Sequence, residues 1–305
     1  MRELGPEIWE VAPIDVVLPR RRRESHKGDY GRVCILGGSV GYTGAPILAA
    51  KAAVRTGAGL VTLLTPEPVW PIAAAKLDCA MPWPLPAEEG ALSGEVLGPA
   101  LEKLSAADAA LIGPGLGRKA EAAGVVRKLV SALECPLVLD ADGINALEGH
   151  IDVLDARRDR LTVLTPHDGE FARVGGDLSG GDRIVLARAF AAAHGCVLVL
   201  KGYRTITAFP DGKVYVNTTG NPGMAKGGSG DVLAGMVASF LAQGFAPQQA
   251  VPWAVCLHGA AGDSAAEKLG EYAMTPLELL DALPLVLKEA ENRGLEKTRQ
   301  EKSEE

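Results

Sequence analysis

The sequence predicts an α/β fold with a mostly parallel central sheet and a small β-hairpin. Six short apolar runs, each of four or five residues, end in glycine, in Thr-Pro or in a charged residue. Helical patterns lie between them, and a pair of short runs around Phe209-Pro210-Asp211-Gly212 breaks the alternation. Strands that alternate with helices are typical of βαβ units with right-handed crossovers, and the paired runs are typical of a hairpin.

The six runs predict strands that are buried on both faces, because they are apolar throughout rather than alternating. They lie at residues 32–36, 60–64, 109–112, 136–139, 161–164 and 196–200. The hairpin is expected within residues 205–216. Helices are predicted at residues 45–56, 120–133, 182–194, 231–243, 247–269 and 276–289.

The 305 residues show no internal repeat and no composition shift that would divide them. A chain of this length is long enough for two domains, but a single large α/β domain fits as well. We therefore predict one domain at residues 21–290, after an N-terminal extension at residues 1–20. The charged residues 291–305 are expected to form a disordered tail.

Charge argues against nucleic acid as a partner, since 31 Lys and Arg face 38 Asp and Glu, for a net charge of −7. One basic run, Arg20 to Arg23 with Lys27, is either a phosphate contact or a solvated cluster, and the sequence leaves both open. The five cysteines form no CxxC pair, and no stretch of 18 apolar residues occurs. Charges within the first 13 residues disfavour a signal peptide. We expect a cytoplasmic protein without a membrane partner.

The strongest functional signal is a glycine-rich loop that directly precedes a predicted helix. Five glycines occupy residues 220–230, and Asp231 follows in the first helical turn. Glycines let successive backbone N–H groups face one concavity, and a helix start adds positive partial charge. The pattern indicates a phosphate site with Asp231 at its mouth. An aspartate that only caps the helix is the simpler alternative, but a cap does not require five glycines.

The same segment resembles the catalytic loop of the ribokinase-like superfamily and, within it, the ADP/ATP-dependent NAD(P)H-hydrate dehydratases. The segments that carry the resemblance are spread over most of the chain. They are residues 27–31, 37–39, 42–45, 113–117, 140–143, 165–167 with Glu170, 201–202, 221–225 and 227–231. The resemblance implies a three-layer α/β/α sandwich. Many family members also carry an epimerase domain, for which the residues before the first motif are too few, so a stand-alone dehydratase domain is expected.

The family resemblance implies that NADH or NADPH hydrated on the nicotinamide ring loses water at the expense of a nucleotide. ADP is the expected donor, giving AMP and phosphate, with ATP as the other candidate. Hydroxide leaves poorly and phosphate leaves well, so phosphorylation of the ring hydroxyl before elimination is chemically sound. Mg²⁺ is the expected cofactor, and a homo-oligomer, with a tetramer as one form, is implied by the family alone.

Site residues follow from the same resemblance. Asp231 is the expected general base, and the amides of Gly228 and Gly230 are expected to stabilise the transferring phosphoryl group. The remaining assignments are Lys201, Gly202, Tyr203, Arg204 and Thr205 for the adenine nucleotide, and Ala45, Gly115, His167 and Asp231 for the hydrated dinucleotide. Lys201 or Arg204 is expected near the phosphates, although a solvated strand-end lysine is the alternative for Lys201. His167 either contacts the substrate or caps the next turn.

Metal ligands stay unassigned. Asp140, Asp142 and Asn145 form a polar cluster at a strand end that fits either water-mediated Mg²⁺ binding or a simple Asx turn. His150, His194 and His258 have no partner visible in the sequence and are expected to be structural.

Two other functions compete with the dehydratase. A small-molecule kinase of the same superfamily, acting on a hydroxymethylpyrimidine, a thiazole alcohol or a sugar, would need the same Asp231 and anion site. A nucleotide-binding sensor without catalysis would keep its effect when Asp231 is replaced by asparagine. The segments at residues 42–44, 165–167 and 221–224 favour the dehydratase over the kinase, because they match that family.

Overall fold

The structure, a computed structural model, describes the backbone of residues 1–304 and the side chains of residues 1–297. The strands are β1 Arg2–Gly5, β2 Ile8–Val11, β3 Arg32–Leu36, β4 Leu60–Pro66, β5 Met81–Leu85, β6 Ala87–Glu88, β7 Ala91–Leu92, β8 Ala109–Ile112, β9 Leu137–Leu139, β10 Thr162–Leu164, β11 Val197–Leu200, β12 Ile206–Ala208 and β13 Val214–Asn217. The α-helices are α1 Gly44–Arg55, α2 Trp70–Lys76, α3 Leu97–Ser105, α4 Ala120–Ala132, α5 Asp142–Asn145, α6 Asp168–Arg173, α7 Arg183–His194, α8 Ser229–Ala242, α9 Pro247–Ala273 and α10 Pro276–Glu304. Short 3₁₀ turns lie at Pro13–Asp15, Lys27–Tyr30, Gly94–Val96, Ile151–Arg157 and Pro222–Met224.

Eleven strands form one sheet in the order β1-β2-β13-β12-β11-β10-β9-β8-β3-β4-β5. The block from β11 to β5 is parallel throughout. Within this sheet, antiparallel pairing is confined to β11, β12 and β13 and to the β1–β2 pair, while β2 runs parallel to β13. The short strands β6 and β7 form a separate antiparallel pair. The six predicted strands and the predicted hairpin are all present, and the mostly parallel α/β fold is confirmed.

Helices cover both faces of the sheet. On one face α1, α8, α9 and α10 pack against alternate strand residues such as Val33, Leu111 and Val163. On the other face α3, α4 and α7 pack against the residues between them, such as Cys34, Ile112 and Leu164. The expected three-layer sandwich is thus observed, with two apolar cores separated by the sheet.

Helix α8 lies in the middle of its layer, against α1, α9 and the sheet. Twelve of its fourteen residues are buried, so the helix is not amphipathic. Small residues in α8 allow its close packing against α1. A Cβ at Gly235 would lie 2.2 Å from the carbonyl oxygen of Ala49 in α1. The two residues of α8 that are not buried are Gly230 and Asp231, at its amino-terminal end.

The first eleven residues, which the prediction set apart as an extension, contribute β1 and β2 to one edge of the sheet. The opposite edge is β5, whose Pro82 and Pro84 suit an edge strand because proline lacks the N–H that a central strand must donate. At the other terminus α10 continues to Glu304, and the predicted tail at residues 291–305 lies partly outside the described residues. The domain boundaries therefore stay predictions. Within the described part, no helix combines the length and apolarity needed to cross a membrane.

Candidate active site

A cavity of about 1160 Å³ opens beyond the carboxyl ends of the strands. Its walls come from the ends of β9, β10 and β11 and from residues 217–231, with His258 and Gly259 from α9. Arg2 and Glu10 of the β1–β2 pair also line it. Ligands of open parallel sheets bind at this edge because the strand-end loops converge there. The five residues expected to bind the adenine nucleotide line this one cavity, as do Gly228 and Gly230, expected at its phosphoryl group, and His167 and Asp231.

The glycine-rich loop, defined here as residues 220–230, turns into α8 at Gly228. Gly228 has a φ of 104°, in the left-handed region, and a Cβ there would lie 2.7 Å from Leu48 Cδ1. Beyond it, the N–H groups of Ser229 and Val232 have backbone acceptors. Among the described residues, none accepts a hydrogen bond from the N–H of Gly228, Gly230 or Asp231. These free donors at a helix start make a site for an anion.

Asp231 lies in the first turn of α8, partly buried at the cavity wall. Burial raises the pKa of its carboxyl group to about 7, and the negative charge of Asp140 adds to the effect. The ammonium of Lys201 opposes the rise, while Glu170 and Asp142 reinforce it. A carboxylate whose pKa lies near neutrality is well matched to accept a proton from a hydroxyl group.

Lys201 is held between two buried carboxylates. Its Nζ lies 3.0 Å from Oδ1 of Asp140 and 3.7 Å from Oε2 of Glu170. Thr165 Oγ1 also donates to Asp140 Oδ1, at 2.6 Å. Burial lowers the pKa of Lys201, but the charges of Asp140 and Glu170 outweigh it and hold that pKa above its ordinary value. The lysine is therefore a fixed cation below the loop, and a Cβ on Gly230 would lie 3.1 Å from its Nζ.

His258 of α9 lies beneath the same loop. Its Nε2 is 2.8 Å from the carbonyl oxygen of Ser229, and burial lowers its pKa to about 4. The ring is neutral at physiological pH, and because a carbonyl oxygen only accepts, Nε2 carries the proton and donates it. No partner of His258 is visible in the sequence, and the structure shows that this side chain supports the first turn of α8.

Two further side chains that the sequence analysis did not single out tie the loop to α9. Asp263 accepts hydrogen bonds from the N–H of Gly220 and from Asn221 Nδ2, at 2.9 and 3.0 Å. Lys226 donates to backbone carbonyl groups at the end of α9, including that of Tyr272 at 2.7 Å. Both contacts join residues more than forty positions apart in the chain, so no local sequence pattern predicts them.

His167 caps α6. Its Nδ1 accepts from the N–H groups of Gly169 and Glu170, and Glu170 Oε2 accepts from the N–H of His167, which completes a capping box. The capping alternative is thus realised, yet the ring also lines the cavity. Its Nε2 lies 3.4 Å from Oε1 of Glu170. Contact with the substrate stays a prediction.

Ala45 and Gly115 lie next to each other, but they are not among the residues that line the large cavity. A Cβ at Gly115 would lie 3.2 Å from that of Ala45 and 2.5 Å from the carbonyl oxygen of Tyr42. Gly115 has a φ of 66°, so glycine is needed both for backbone conformation and for close approach. Their predicted role in the substrate cleft is untested by this geometry.

The segment 201–205 forms a turn at the cavity mouth. Arg204 adopts a φ of 55° and donates to Glu10 Oε2 at 2.6 Å, which Arg2 also contacts at 2.8 Å. Tyr203 is 94% exposed, and Thr205 Oγ1 donates to the carbonyl oxygen of Gly202 at 3.0 Å. The arrangement leaves an aromatic face and a guanidinium group at the entrance, where a nucleotide could contact them.

The polar cluster after β9 makes protein contacts. Asp142 accepts from Asn145 Nδ2 at 3.0 Å and from the N–H of Gly117 at 2.8 Å, while Asp140 is engaged by Lys201 and Thr165. Within the part of the chain whose side chains are described, no group of three or more His, Cys, Asp or Glu residues is placed to hold a metal ion. Water-mediated binding of Mg²⁺ by this cluster stays a prediction.

Comparisons with known proteins show the family of this chain. The sequence profile of the NAD(P)H-hydrate dehydratase family matches residues 33–285. The bifunctional NAD(P)H-hydrate repair enzyme of Moorella thermoacetica is 48% identical over 278 residues, covering 90% of this chain and 52% of that protein. The chain thus spans about half the length of the bifunctional relatives it matches. The ADP-dependent (S)-NAD(P)H-hydrate dehydratase of Bacillus subtilis is 36% identical, covering 93% of this chain and 99% of that protein.

Solved structures match over similar lengths. A ribokinase-like superfamily protein from Enterococcus faecalis has a TM-score of 0.83 at 30% identity, covering 95% of this chain and 99% of that chain. An ADP/ATP-dependent NAD(P)H-hydrate dehydratase from Bacillus subtilis, co-crystallised with ATP and Mg²⁺, has a TM-score of 0.76 at 34% identity. This match covers 91% of this chain and 96% of that chain. The expected ribokinase-like fold is confirmed.

Proposed function

The chain belongs to the NAD(P)H-hydrate dehydratase family, and from this premise we propose that it restores NADH and NADPH from their (6S)-hydrated forms. ADP is the proposed phosphoryl donor and is converted to AMP and phosphate. The observation that carries the proposal is the position of Asp231, a carboxylate with a pKa of about 7, beside the unpaired N–H groups of the glycine-rich loop. A base and an anion site are thus adjacent, as phosphoryl transfer to a hydroxyl group requires.

In the first proposed step, Asp231 accepts the proton of the hydroxyl group on the hydrated nicotinamide ring. The hydroxyl oxygen forms a bond to the terminal phosphorus of ADP, and the bond from that phosphorus to the bridging oxygen breaks, so AMP leaves with the electron pair. The N–H groups of Gly228 and Gly230 would stabilise the negative charge that spreads over the transferring phosphoryl oxygens. Lys201 lies close enough to Gly230 to add a positive field there.

In the second step, the ring carbon–oxygen bond breaks and phosphate leaves with its electron pair. The ring nitrogen donates electron density to this carbon, and loss of a proton from the neighbouring carbon restores the double bond of the dihydropyridine. The oxygen and one hydrogen of the hydrate end in phosphate, and the other hydrogen is released as a proton. Hydrate and ADP thereby balance against NAD(P)H, AMP and phosphate.

The nucleotide is proposed to lie across residues 201–205, with its phosphates at the glycine-rich loop. This placement is supported by the shared cavity and by the exposed ring of Tyr203 at its entrance. Mg²⁺ is proposed to enter as the complex with the nucleotide phosphates, because the carboxylates of Asp140 and Asp142 already accept protein donors. ATP as an alternative donor, a homo-oligomeric assembly and a cytoplasmic location are proposals of the same standing.

Incubation of the purified protein with hydrated NADH and ADP tests the function directly. Recovery of NADH absorbance, with AMP and phosphate released in equal amounts, is the expected result. Parallel reactions with ATP and with hydrated NADPH determine the preferred donor and dinucleotide. If absorbance does not recover and the protein instead phosphorylates a pyrimidine or thiazole alcohol, the kinase alternative is correct.

A further inference from the structure

The basic run at residues 20–23 lies far from the proposed active site. It meets the carboxy-terminal ends of α1 and α8, and the opposite, amino-terminal end of α8 lines the large cavity. From Asp231 to Gln243, α8 rises by about 18 Å at ~1.5 Å per residue. A second cavity of about 490 Å³ occupies this opposite edge, between the run, both helix ends and α10. Whatever binds here is separate from the nucleotide and the hydrated dinucleotide.

Within the basic run, Arg21 makes the contacts that hold the run against the rest of the protein. Its guanidinium group stacks over the ring of Tyr30, 3.8 Å from the ring centre, and donates to Gln243 Oε1 at 3.0 Å. It also donates to the carbonyl oxygen of Gly57, just beyond the end of α1. These contacts use its donors to tie the run to both helix ends, so Arg21 shapes the wall of the second cavity.

The other arginines of this cavity are only weakly engaged. Arg22 is 78% exposed, and its nearest carboxylate, Asp29, lies 4.0 Å away. Arg55 is 48% exposed and lies 3.5 Å from Asp281, which is itself mostly exposed. Exposed pairs of this kind contribute little free energy, so a ligand can replace them. Arg20 lines the cavity too, and no ion pair is found for it among the described side chains.

The cavity combines this charge with an apolar floor. Leu18, Phe240 and Leu287 are buried beneath it, and Phe245 and Tyr30 add aromatic surface. Its lining carries four arginines against Asp29 and Glu291, an excess of two positive charges on a chain whose net charge is −7. The volume lies within the range of small-molecule sites. Planar guanidinium groups match the oxygens of a phosphate, and the floor matches a flat apolar group.

We propose that this second cavity binds a small phosphate-bearing molecule with an aromatic or apolar group, held by Arg20, Arg22 and Arg55. The phosphate contacts the arginines at the rim, and the apolar group covers the floor between α8 and α10. A concave site with three available guanidinium groups suits one small ligand rather than an extended polyanion.

The test uses 1-naphthyl phosphate as the probe, titrated calorimetrically into the protein with saturating ADP present. We expect one molecule bound per chain under these conditions, and weaker binding of inorganic phosphate because it leaves the apolar floor uncovered. The Arg20→Ala/Arg22→Ala double variant should lose affinity at least tenfold, and Arg55→Ala should lose it several-fold. Arg23→Ala is the matched control, since Arg23 belongs to the same run but does not line the cavity.

Equal affinity in the wild type and the double variant would overturn the proposal, as would the absence of probe binding to the wild type. An equal loss in Arg23→Ala would show a diffuse positive surface and also refute a built site. Circular dichroism checks that each variant is folded, and Arg55→Ala gives an independent measurement from another element. None of these outcomes depends on whether the protein is a dehydratase.

Discussion

Lys201 Nζ lies 3.0 Å from Oδ1 of Asp140, a buried ion pair that joins the ends of β11 and β9 directly below the glycine-rich loop. The pair sets the electrostatic environment of Asp231, because the carboxylate of Asp140 raises the pKa of Asp231 while Lys201 lowers it. The lysine thus acts on the carboxyl group of Asp231, the proposed base, as well as on any phosphate that binds above it. Its position between two carboxylates explains how it stays charged while buried.

Replacing the base should separate binding from chemistry. In Asp231→Asn the side chain keeps its size but loses its ability to accept a proton. We expect turnover to fall by about two to four orders of magnitude while the affinity for ADP stays within a few-fold of the wild type. Single-turnover rates and calorimetric titration of ADP measure the two quantities. Ordinary turnover in this variant would refute the assignment of the base.

The rate should depend on pH through Asp231. Because the base must be deprotonated and its pKa is about 7, kcat/KM should rise with pH up to that value and fall about tenfold per unit below it. Asp140→Asn removes a negative charge and leaves Lys201 less neutralised, and both changes lower the pKa of Asp231. The acidic limb of the pH–rate profile should therefore move to lower pH. Asp152→Asn, an exposed carboxylate away from the cavity, is the control and should leave the limb in place.

Two neighbouring glycines of the loop should respond differently to alanine. Gly228→Ala forces a side chain into a left-handed backbone and against Leu48 and Pro276. A non-glycine residue there costs about 1–3 kcal/mol, so the melting temperature and the affinity for ADP should both fall. Gly227→Ala meets no protein atom within 4 Å and should leave the melting temperature unchanged. An equal fall in melting temperature in both variants would contradict the described loop conformation.

His258 should contribute to stability in a pH-dependent way. His258→Phe keeps a ring but leaves the carbonyl of Ser229 without its donor, at a cost of about 1–3 kcal/mol near neutral pH. Because the pKa of His258 is lowered from 6.5 to about 4 in the folded protein, the unfolded chain takes up the proton first as the pH falls. Wild-type stability should therefore fall by about 1.4 kcal/mol per unit between these values, and the variant lacks this contribution.

Denaturant unfolding at several pH values measures the difference in unfolding free energy between wild type and His258→Phe, which should shrink as the pH falls below 6.5 and change sign before pH 4. The exposed His150 supplies the control, since His150→Phe should not reproduce this change. A difference that is constant over this range would contradict a buried neutral ring.

Local sequence was enough to predict the parallel strands, because segments such as Val197–Leu200 are buried on both faces and therefore apolar at every position. It also predicted the glycine-rich loop, whose chemistry is concentrated in eleven consecutive residues. β1 and β2 were missed, since they are short and partly exposed at a sheet edge. β5 was also missed, since two of its five residues are proline, which is uncommon in strands.

The partners within the site were beyond sequence reasoning for a different reason. Lys201 meets Asp140 across 61 residues, and His258 meets Ser229 across 29. Only the order of strands in the sheet and the packing of α9 under α8 bring these groups together. The sequence could identify each side chain as polar and near a strand end, but not which charges would neutralise one another.

Because α8 is buried on every side, it limits which parts of the protein can move during a catalytic cycle. Asp231 belongs to a helix that cannot slide or rotate without disrupting its packing against α1, α9 and the sheet. Motion during turnover is therefore left to the surrounding loops and to the ligands, which must come to a stationary base. On heating, the rate should persist until the whole chain unfolds, so inactivation and loss of the fold are expected as a single thermal event.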